Sequence, residues 1–305
     1  MNRSIRALAA TAALLTFQGV ARADEMPAKL AALTLENDFF AGSDNHYTNG
    51  VQAAFVVSPR TVIAIGQRIY TPTNTDSRIP DPADRPYAGW LYGMVDVRLP
   101  ADGTIDHLTV SLGVVGPASL GRQAQNAVHR MLGEQRAQGW DSQIGSEITA
   151  MVGYERAWPR VVSGKLGNRS YDLALRVGGA LGNAFTYADA GAVVRYGRHL
   201  PDDLPVTHIS LGPPRDGYRG TSEFGWYVWA GFDGRAVARN IFLDGNTFRD
   251  SPSVERKRLG YDTQLGVALS WPNARVGFTM IQRSREFDGQ RGNDRFGQLA
   301  LSLAY

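Results

Sequence analysis

Apolar and polar residues alternate in many short segments of this 305-residue chain. In residues 259–271, Leu259, Leu265 and Trp271 share one face, and Asp262 lies on the opposite face. A period of two residues is that of a β-strand, in which successive side chains point to opposite sides of the sheet. The recurrence of this period along the chain predicts an all-β protein.

The second face of the predicted strands carries small and charged residues, among them Asp96, Arg98, Asp172, Arg176, Asp233, Arg235 and Asp262. A soluble β-sandwich packs one face of each sheet into its core and leaves the other in water. A transmembrane barrel instead turns its apolar side chains to lipid and its polar side chains to the lumen. We therefore predict a transmembrane antiparallel β-barrel.

The alternating segments predict about twelve strands, near the lower end of the usual even-numbered range. They cover residues 29–38, 47–58, 61–70, 88–99, 104–115, 147–158, 169–181, 187–198, 223–242, 257–271, 274–284 and 295–305. We expect the last strand, which ends at the aromatic Tyr305, to close against the first.

The connections between these strands predict the orientation of the barrel. With the N-terminus in the periplasm, short turns fall on the periplasmic side and the long connections 71–87, 116–146, 243–256 and 285–294 fall outside the cell, as is usual for such barrels. The connection 199–222 is long and periplasmic and breaks this rule.

The first 23 residues have the pattern of a secretory signal peptide: a basic start, an apolar run from Ala7 to Phe17 and the small-residue end Ala21-Arg22-Ala23. We predict its removal, which leaves residues 24–305 as the barrel domain. The leader contains three arginines and no acid, so the formal net charge of +3 belongs to it, and nothing indicates nucleic-acid binding. The absence of cysteine excludes disulfides, zinc thiolates and a Cys nucleophile.

The connection 116–146 contains a segment that stops alternating. An apolar stripe with helical spacing predicts a short amphipathic extracellular helix over the barrel mouth, with Ser119 capping its start and Gly133 ending it. Gln125 and His129, four residues apart, share a neighbouring face of this helix. Such a helix has no structural need for a histidine.

His129 is the histidine whose setting suits a general base, because an unperturbed imidazole titrates near pH 6.5. The carboxylates that we consider as its partners, or as metal ligands, are Asp38, Asp44, Glu134 and Glu147. Oxygen ligands without thiolates favour Ca²⁺ over zinc. Taken alone, Asp38 and Asp44 have the residue type of turn formers, and we interpret His46 and His107 as solvated loop or turn residues.

Parity along the first two strands predicts which side chains meet lipid. Leu33, Leu35 and Asn37 fall in the lipid-facing row and Asp38 in the lumen-facing one, and we expect Thr48 to point inward with Gly50. Asn37 then ends the outer row at the level of the lipid headgroups. A site at that point of the wall can receive a substrate that stays in the bilayer.

Several short motifs in this order resemble the LpxR-type lipid A 3'-O-deacylases of the outer membrane. They are Glu36-Asn37-Asp38-x-Phe40, Tyr47-Thr48-Asn49-Gly50, the run from Asp84 to Trp90, and Gly116-Pro117 followed by Gln125, His129, Gly133, Gly139-Trp140, Gln143 and Glu147. The resemblance covers nearly all of the chain after the leader. It implies a twelve-stranded barrel with its active site between the wall and an external helix, which hydrolyses the ester-linked 3'-acyloxyacyl chain of lipid A with Ca²⁺.

The resemblance also implies roles for individual residues. His129 becomes the base that activates water, Asn37, Asp38 and Thr48 line the metal and oxyanion side, and Arg78 and Gln125 meet the substrate. Asp38 and Glu134 are the expected metal ligands. The sequence departs from the family at two points: Ser77-Arg78 stands where a basic pair is expected, and Gln135 stands where a Glu is expected six residues after the histidine.

Two alternatives remain open at this stage. The first is a noncatalytic barrel, either a narrow channel or a surface-binding protein, and the second is an outer-membrane phospholipase A. In every case we expect a monomer in the outer membrane of a Gram-negative bacterium. For the enzyme we expect a site that faces the extracellular leaflet and acts on lipid A or lipopolysaccharide.

Overall fold

Twelve antiparallel strands close into one barrel in the computed structural model, which describes residues 29–41, 46–204 and 218–304. Each strand pairs with its neighbours in sequence, and β1 pairs with β12. The strands are β1 Lys29–Asn37, β2 Tyr47–Ser58, β3 Thr61–Tyr70, β4 Ala88–Leu99, β5 Ile105–Val115, β6 Glu147–Leu166, β7 Arg169–Gly182, β8 Phe185–Arg198, β9 Gly225–Asn240, β10 Leu259–Ser270, β11 Ala274–Arg283 and β12 Asp294–Leu303. The predicted barrel and its closure are confirmed, while the predicted signal peptide and Tyr305 lie outside the described residues.

Strand β6 is longer than its alternating pattern indicates. It pairs with β7 as far as Leu166, and the register of that pairing shifts between Trp158 and Val162. A bulge of this kind interrupts the two-residue period, so the sequence prediction stopped at residue 158.

The two faces of the wall have the polarity that the alternation predicts. Leu259, Leu265 and Val267 are exposed on the outside, whereas Asp262 on the same strand is fully buried in the lumen. Strands with this alternation satisfy their backbone hydrogen bonds within the closed sheet, which a bilayer demands because its hydrocarbon offers no partner.

The lumen is lined with paired charges. Arg176 contacts three carboxylates, with Glu155 at 2.6 Å, Asp189 at 2.9 Å and Asp233 in direct contact. Similar buried pairs join Arg195 to Asp172, and Arg235 and Arg283 to Asp262. A charge in a site of low dielectric is tolerated only with such partners.

The barrel has two different ends. We call the end at which β1 ends and β2 begins the helix end; its longer connections are 38–46, 71–87, 116–146, 241–258 and 284–293. Helix α1, Gly121–Leu132, and the short helix α2, Ile241–Asp244, both belong to these connections. Neither of these two helices is long and apolar enough to cross a membrane.

Helix α2 closes the lumen at the helix end. The side chain of Asn240 caps it by accepting a hydrogen bond from the backbone N–H of Phe242 at 3.1 Å. Phe242 is fully buried, stacks on Tyr70 at 4.4 Å between ring centroids, and also packs against Trp90 and Phe185. This aromatic cluster lies beside a cavity of the lumen that is bordered by Tyr70, Phe185 and Asn240.

The long connection at the opposite end is anchored beneath the barrel at both of its described margins. Arg195 donates to the carbonyl of Asp203 at 2.6 Å, and Arg275 pairs with the Asp203 carboxylate at 2.7 Å. Beyond residues 205–217, which the structure does not describe, the Tyr218 hydroxyl donates to the carbonyl of Trp271 at 2.6 Å. The described parts of this connection are therefore attached to the barrel wall.

Helix α1 ends as predicted but starts differently. Gly133 has φ +75° and donates its N–H to the carbonyls of Arg130 and His129, a left-handed cap that suits glycine. The predicted cap by Ser119 is wrong: its hydroxyl donates to the carbonyl of Gly116 at 2.7 Å, within the 3₁₀ turn Gly116–Ser119. Leu120, with φ +60°, occupies the N-cap position instead.

Replacing Arg176 by Leu is expected to cost about 3–5 kcal/mol of unfolding free energy, because three buried carboxylates lose their common partner. Arg198→Leu is the matched control, since Arg198 is exposed and its pair with Glu223, at 3.5 Å, is worth at most about 1 kcal/mol. Urea unfolding in phospholipid vesicles measures both. Equal losses in the two variants contradict a lumen held together by this network.

Candidate functional site

Helix α1 lies against the outer face of the wall, as the family resemblance implies, and not over the mouth, as its apolar stripe predicted. Gln67, on the outward row of β3, donates its side-chain amide to the carbonyl of Ser119 at 2.6 Å. Ile69, two residues along the same row, forms a buried apolar cluster with Tyr87, Ala137 and Trp140. Ala124 of the helix packs against this cluster.

Two glycines let the helix approach the sheet closely. A Cβ on Gly89 of β4 would lie 2.2 Å from the Ser119 hydroxyl oxygen and 3.0 Å from the Cα of Gly121. No real Cβ makes contacts this short, so the absence of a side chain at Gly89 sets the distance between helix and wall.

Gln125 fastens the helix to the segment that follows it. The side-chain carbonyl of Gln125 accepts a hydrogen bond from the indole N–H of Trp140 at 2.7 Å, and both side chains are buried. The described contact is therefore structural, and contact between Gln125 and a substrate stays a prediction.

His129 lies in the last turn of α1 and is oriented by the loop after it. Its Nδ1 is hydrogen-bonded to the backbone carbonyl of Gln135. A carbonyl oxygen can only accept, so Nδ1 carries the proton and the lone pair of the neutral ring is on Nε2. This is the tautomer that a general base needs. The departure from the family at position 135 leaves this contact intact, because it uses the backbone.

Asn37, Asp38 and Thr48 come together at the rim of the first two strands. The Asn37 amide donates to the carbonyl of Thr48 at 2.8 Å, and its oxygen accepts from the backbone N–H of Phe39 at 2.8 Å. Asp38 is 4% exposed and opens the 3₁₀ turn Asp38–Ala41. Phe40 of that turn packs edge-to-face on Phe278 and holds the turn against the neighbouring strands.

Thr48 does not point into the lumen as predicted. The pairing of β2 with β3 shifts register between Tyr47 and Asn49, and Tyr47 takes the inward position, where its hydroxyl donates to Glu36 at 2.6 Å. The Thr48 hydroxyl instead meets the Thr71 hydroxyl at 2.7 Å. One extra residue in a strand reverses the facing of its neighbours.

The remaining predicted residues lie apart from this rim. Arg78 and Glu134 are both exposed, and in the part of the chain that the structure describes no hydrogen bond joins His129 to Asn37 or Thr48. Arg78 nevertheless belongs to the connection that contacts the segment after α1, where Gln138 donates its backbone N–H to the carbonyl of Thr75 at 2.8 Å. Asp44 lies outside the described residues.

The described residues contain no group of three or more His, Cys, Asp or Glu side chains that could share a metal ion. Glu147, another carboxylate considered above, accepts hydrogen bonds from Asn183, Asn246 and Thr247. Of the carboxylates that we considered as metal ligands, Asp38 is a buried one at the rim. A hard cation there needs carbonyl and hydroxyl oxygens and water for its other ligands, which Ca²⁺ accepts.

His46 is a buried residue of this region that the sequence interpretation placed in solvent. Its Nδ1 lies 2.7 Å from Asp294, and its Nε2 lies 3.1 Å from Asp84 and 3.0 Å from the Thr73 hydroxyl. Burial lowers the pKa of the ring, but hydrogen bonds and charge from Asp294 and Asp84 more than reverse this and raise the pKa to about 9. At neutral pH it is an imidazolium between two carboxylates.

Asp84 shows the complementary effect. Burial raises the pKa of this carboxyl, but its hydrogen bonds with His46 and with Thr73 outweigh burial and lower the pKa to about 2.

His107, also interpreted as solvated, is buried in the lumen and bonded through Nδ1 to Asp96 at 2.6 Å. Neither pair has a local sequence signature that marks the histidine as buried.

A family model described as outer membrane protein LpxR matches residues 8–305. Among solved structures, LpxR from Salmonella typhimurium is similar with a TM-score of 0.77 and 18% identity, over 91% of this chain and 100% of that chain. The outer membrane enzyme PagL is similar with a TM-score of 0.28 and 16% identity, over 51% of this chain and 88% of that chain. The NanC porin is similar with a TM-score of 0.41 and 5% identity, over 90% of this chain and 100% of that chain. Both are too distant to support an argument. No curated protein sequence matches.

Gly89→Val is expected to loosen helix α1 from the wall, because overpacking costs about 1–3 kcal/mol. Trypsin cleavage within α1, for example after the exposed Arg130, should become about tenfold faster. Gly93→Val is the matched control on the same row of β4, where the nearest atom to a new Cβ is 3.9 Å away. Cleavage of both variants at the wild-type rate contradicts the glycine contact.

The unfolding free energy should depend on pH through His46. Because the folded pKa of about 9 lies above the ordinary 6.5, the stabilisation is complete below pH 6.5 and is lost as the pH rises through 9. Between pH 6.5 and pH 9, the unfolding free energy of wild type should therefore fall by up to about 3 kcal/mol relative to that of His46→Asn. Urea unfolding of both proteins at several pH values measures the difference, and parallel profiles would contradict a charged His46.

Proposed function

This chain belongs to the LpxR family of outer-membrane proteins, and on that premise we propose that it removes the 3'-linked acyloxyacyl chain of lipid A by ester hydrolysis. The observation that carries the proposal is the position of helix α1 on the outer face of the wall. A base on this helix meets a lipid substrate at the bilayer surface, whereas a site in the lumen requires the lipid to leave the membrane.

The helix end of the barrel then faces the extracellular side, where lipopolysaccharide forms the outer leaflet. Arg78 supplies a cation in the connection 71–87, beside the segment that follows α1. Its planar guanidinium suits a phosphate group of the glycolipid, which it can bind with two parallel hydrogen bonds.

In the proposed reaction, Nε2 of His129 takes a proton from water while the water oxygen bonds to the carbonyl carbon of the ester. The Gln135 carbonyl, bonded to Nδ1, favours the imidazolium that forms. Collapse of the tetrahedral intermediate breaks the bond between the carbonyl carbon and the sugar oxygen, and the imidazolium returns its proton to that oxygen. The products are a fatty acid and a free sugar hydroxyl.

The negative oxygen of the intermediate needs hydrogen-bond donors that are already in place. An amide NH₂ has two hydrogens, and the Asn37 amide uses one of them to bind the carbonyl of Thr48. We assign the other to this oxygen, and we place the Thr48 hydroxyl on the same side of the substrate. Such preorganised donors stabilise a developing charge more strongly than mobile water does.

Calcium enters the proposal through the family resemblance and through the donor set at the rim. The buried carboxylate of Asp38 is a suitable first ligand, and Glu134, exposed just after the end of α1, is the second carboxylate that we propose. When bound, Ca²⁺ supplies positive charge next to the developing negative oxygen.

Two features of the barrel oppose a channel. The lumen contains paired arginines and carboxylates, and the aromatic cluster around Phe242 closes it at the helix end. A noncatalytic surface-binding protein and a phospholipase A are distinguished from the proposed enzyme by the products of the experiment below.

Mass spectrometry of lipid A from cells that express the protein should show loss of the 3' acyloxyacyl chain. His129→Ala should lower this activity by about 10²–10⁴-fold, because it removes the general base. Gln123→Ala, on the exposed face of α1, is the matched control and should keep wild-type activity. EDTA should abolish the reaction of the purified protein, and added Ca²⁺ should restore it.

Unchanged lipid A from both wild type and the control would refute the proposal and favour a noncatalytic barrel. Accumulation of lysophospholipid with intact lipid A favours the phospholipase instead. Equal deacylation by wild type and His129→Ala refutes the assignment of the base. Heat-dependent gel mobility shows that each variant has folded into a barrel.

A further inference from the structure

His46 joins three connections at the helix end. It lies directly before β2, and its ring contacts Asp84 and Thr73 in the connection 71–87 and Asp294 at the start of β12. The edge of the ring also packs on Phe287, with centroids 5.3 Å apart. Connections that are distant in sequence therefore meet on one side chain that is 4% exposed.

The backbone of His46 is held in an uncommon conformation. Its φ of +40° lies in the left-handed region that residues other than glycine rarely adopt. A strained residue of this kind persists where its surroundings fix it, and here the two carboxylates fix the ring. Asp84 is itself oriented, because it accepts a hydrogen bond from the backbone N–H of Thr73 at 2.8 Å.

A short path of hydrogen bonds leads from His46 to the rim. The carbonyl of His46 accepts from the backbone N–H of Thr71 at 3.3 Å, and the Thr71 hydroxyl meets the Thr48 hydroxyl at 2.7 Å. Thr48 in turn accepts through its carbonyl from the Asn37 amide at 2.8 Å. A shift of His46 is therefore transmitted to the groups that we assign to the oxyanion side.

We propose that His46 is a positioning residue for the reaction, acting through Thr71 and Thr48 on Asn37 without touching the substrate. This inference rests on the proposed function. The ring of His46 contacts the connection 71–87 at Thr73 and Asp84, not at Arg78. Its loss should therefore disturb the alignment of the oxyanion donors more than it weakens substrate binding.

The experiment compares His46→Asn with His107→Asn by steady-state deacylation kinetics of the full-length protein in detergent micelles with purified lipid A. Asparagine tolerates a positive φ, so it removes the ring contacts with little added backbone strain. His107→Asn is the matched control, because it removes a buried histidine that is likewise bonded through Nδ1 to an aspartate. We expect kcat to fall about 10–100-fold in His46→Asn with KM nearly unchanged, and both constants to stay near wild type in His107→Asn.

Thr71→Val tests the path separately, since it removes the hydroxyl and keeps the ring of His46 and its partners. It should lower kcat as His46→Asn does, and the double variant should lose no more than the stronger single variant, because both act through Thr48. If His46→Asn fails to form a heat-modifiable barrel, Thr71→Val and the same measurement on Asp294→Asn decide the question.

The outcomes separate the two proposals. If wild type is active and both His46→Asn and Thr71→Val have the wild-type kcat, only the positioning role of His46 is refuted. A change confined to KM also overturns it, because it indicates a role in binding. A wild type that leaves lipid A intact overturns the proposed function, and the role of His46 falls with it.

Discussion

The hydrogen-bonding demand of the backbone in a bilayer is the constraint on which the rest of this structure depends. Hydrocarbon offers no partner to N–H and C=O groups, so a sheet can cross it only when the first and last strands pair, as β1 and β12 do here. Closure forces one face of every strand to lipid and the other into a narrow lumen. The outer apolar rows and the inner charged rows both follow from this geometry.

The lumen then has to resolve a second problem, which is the cost of burying charge. Arg176 with its three carboxylates, and Asp262 with two arginines, show the solution: each ion meets an opposite ion within hydrogen-bond distance. The cavity that remains inside the barrel is lined by these same charges, among them Arg176 and Asp262, which suits an acyl chain poorly. The outer wall at the rim is where an amphiphilic substrate and polar side chains can meet.

Regular alternation allowed most of the fold to be predicted from the sequence, because lipid and lumen impose opposite polarity on neighbouring residues. β2, β3 and β4 have the predicted bounds. The prediction failed where extra residues interrupt the period, one between Tyr47 and Asn49 and two between Trp158 and Val162, since polarity alone does not show where the pairing resumes.

Some features of the site depend on contacts that no local pattern encodes. His46 is bonded to a residue 248 positions away, so its surrounding sequence has the composition of an ordinary polar loop. The apolar stripe of α1 does not show which surface it packs on; the family resemblance implied the outer wall, and the close approach there requires the glycine at position 89. By contrast, His129 stood out within the helix, because the apolar stripe explained its neighbours and left the imidazole without a structural reason.

The division of the candidate site between two elements has a physical rationale. His129, the proposed base, is on a helix attached to β3 and β4 from outside, while Asn37 and Asp38 are on the rim of β1, where Asn37 is held by contacts of its own. If hydrogen bonds joined the two halves directly, they would have to break before a lipid could enter between them. In the proposed site, separate anchors hold each half on its own, so that an ester still embedded in the leaflet can enter between them without breaking these contacts. In this arrangement the alignment of the two halves depends on how each is attached to the barrel. Contacts such as Gly89 with Gly121 and His46 with Asp294 therefore affect the proposed reaction although these residues do not contact the substrate.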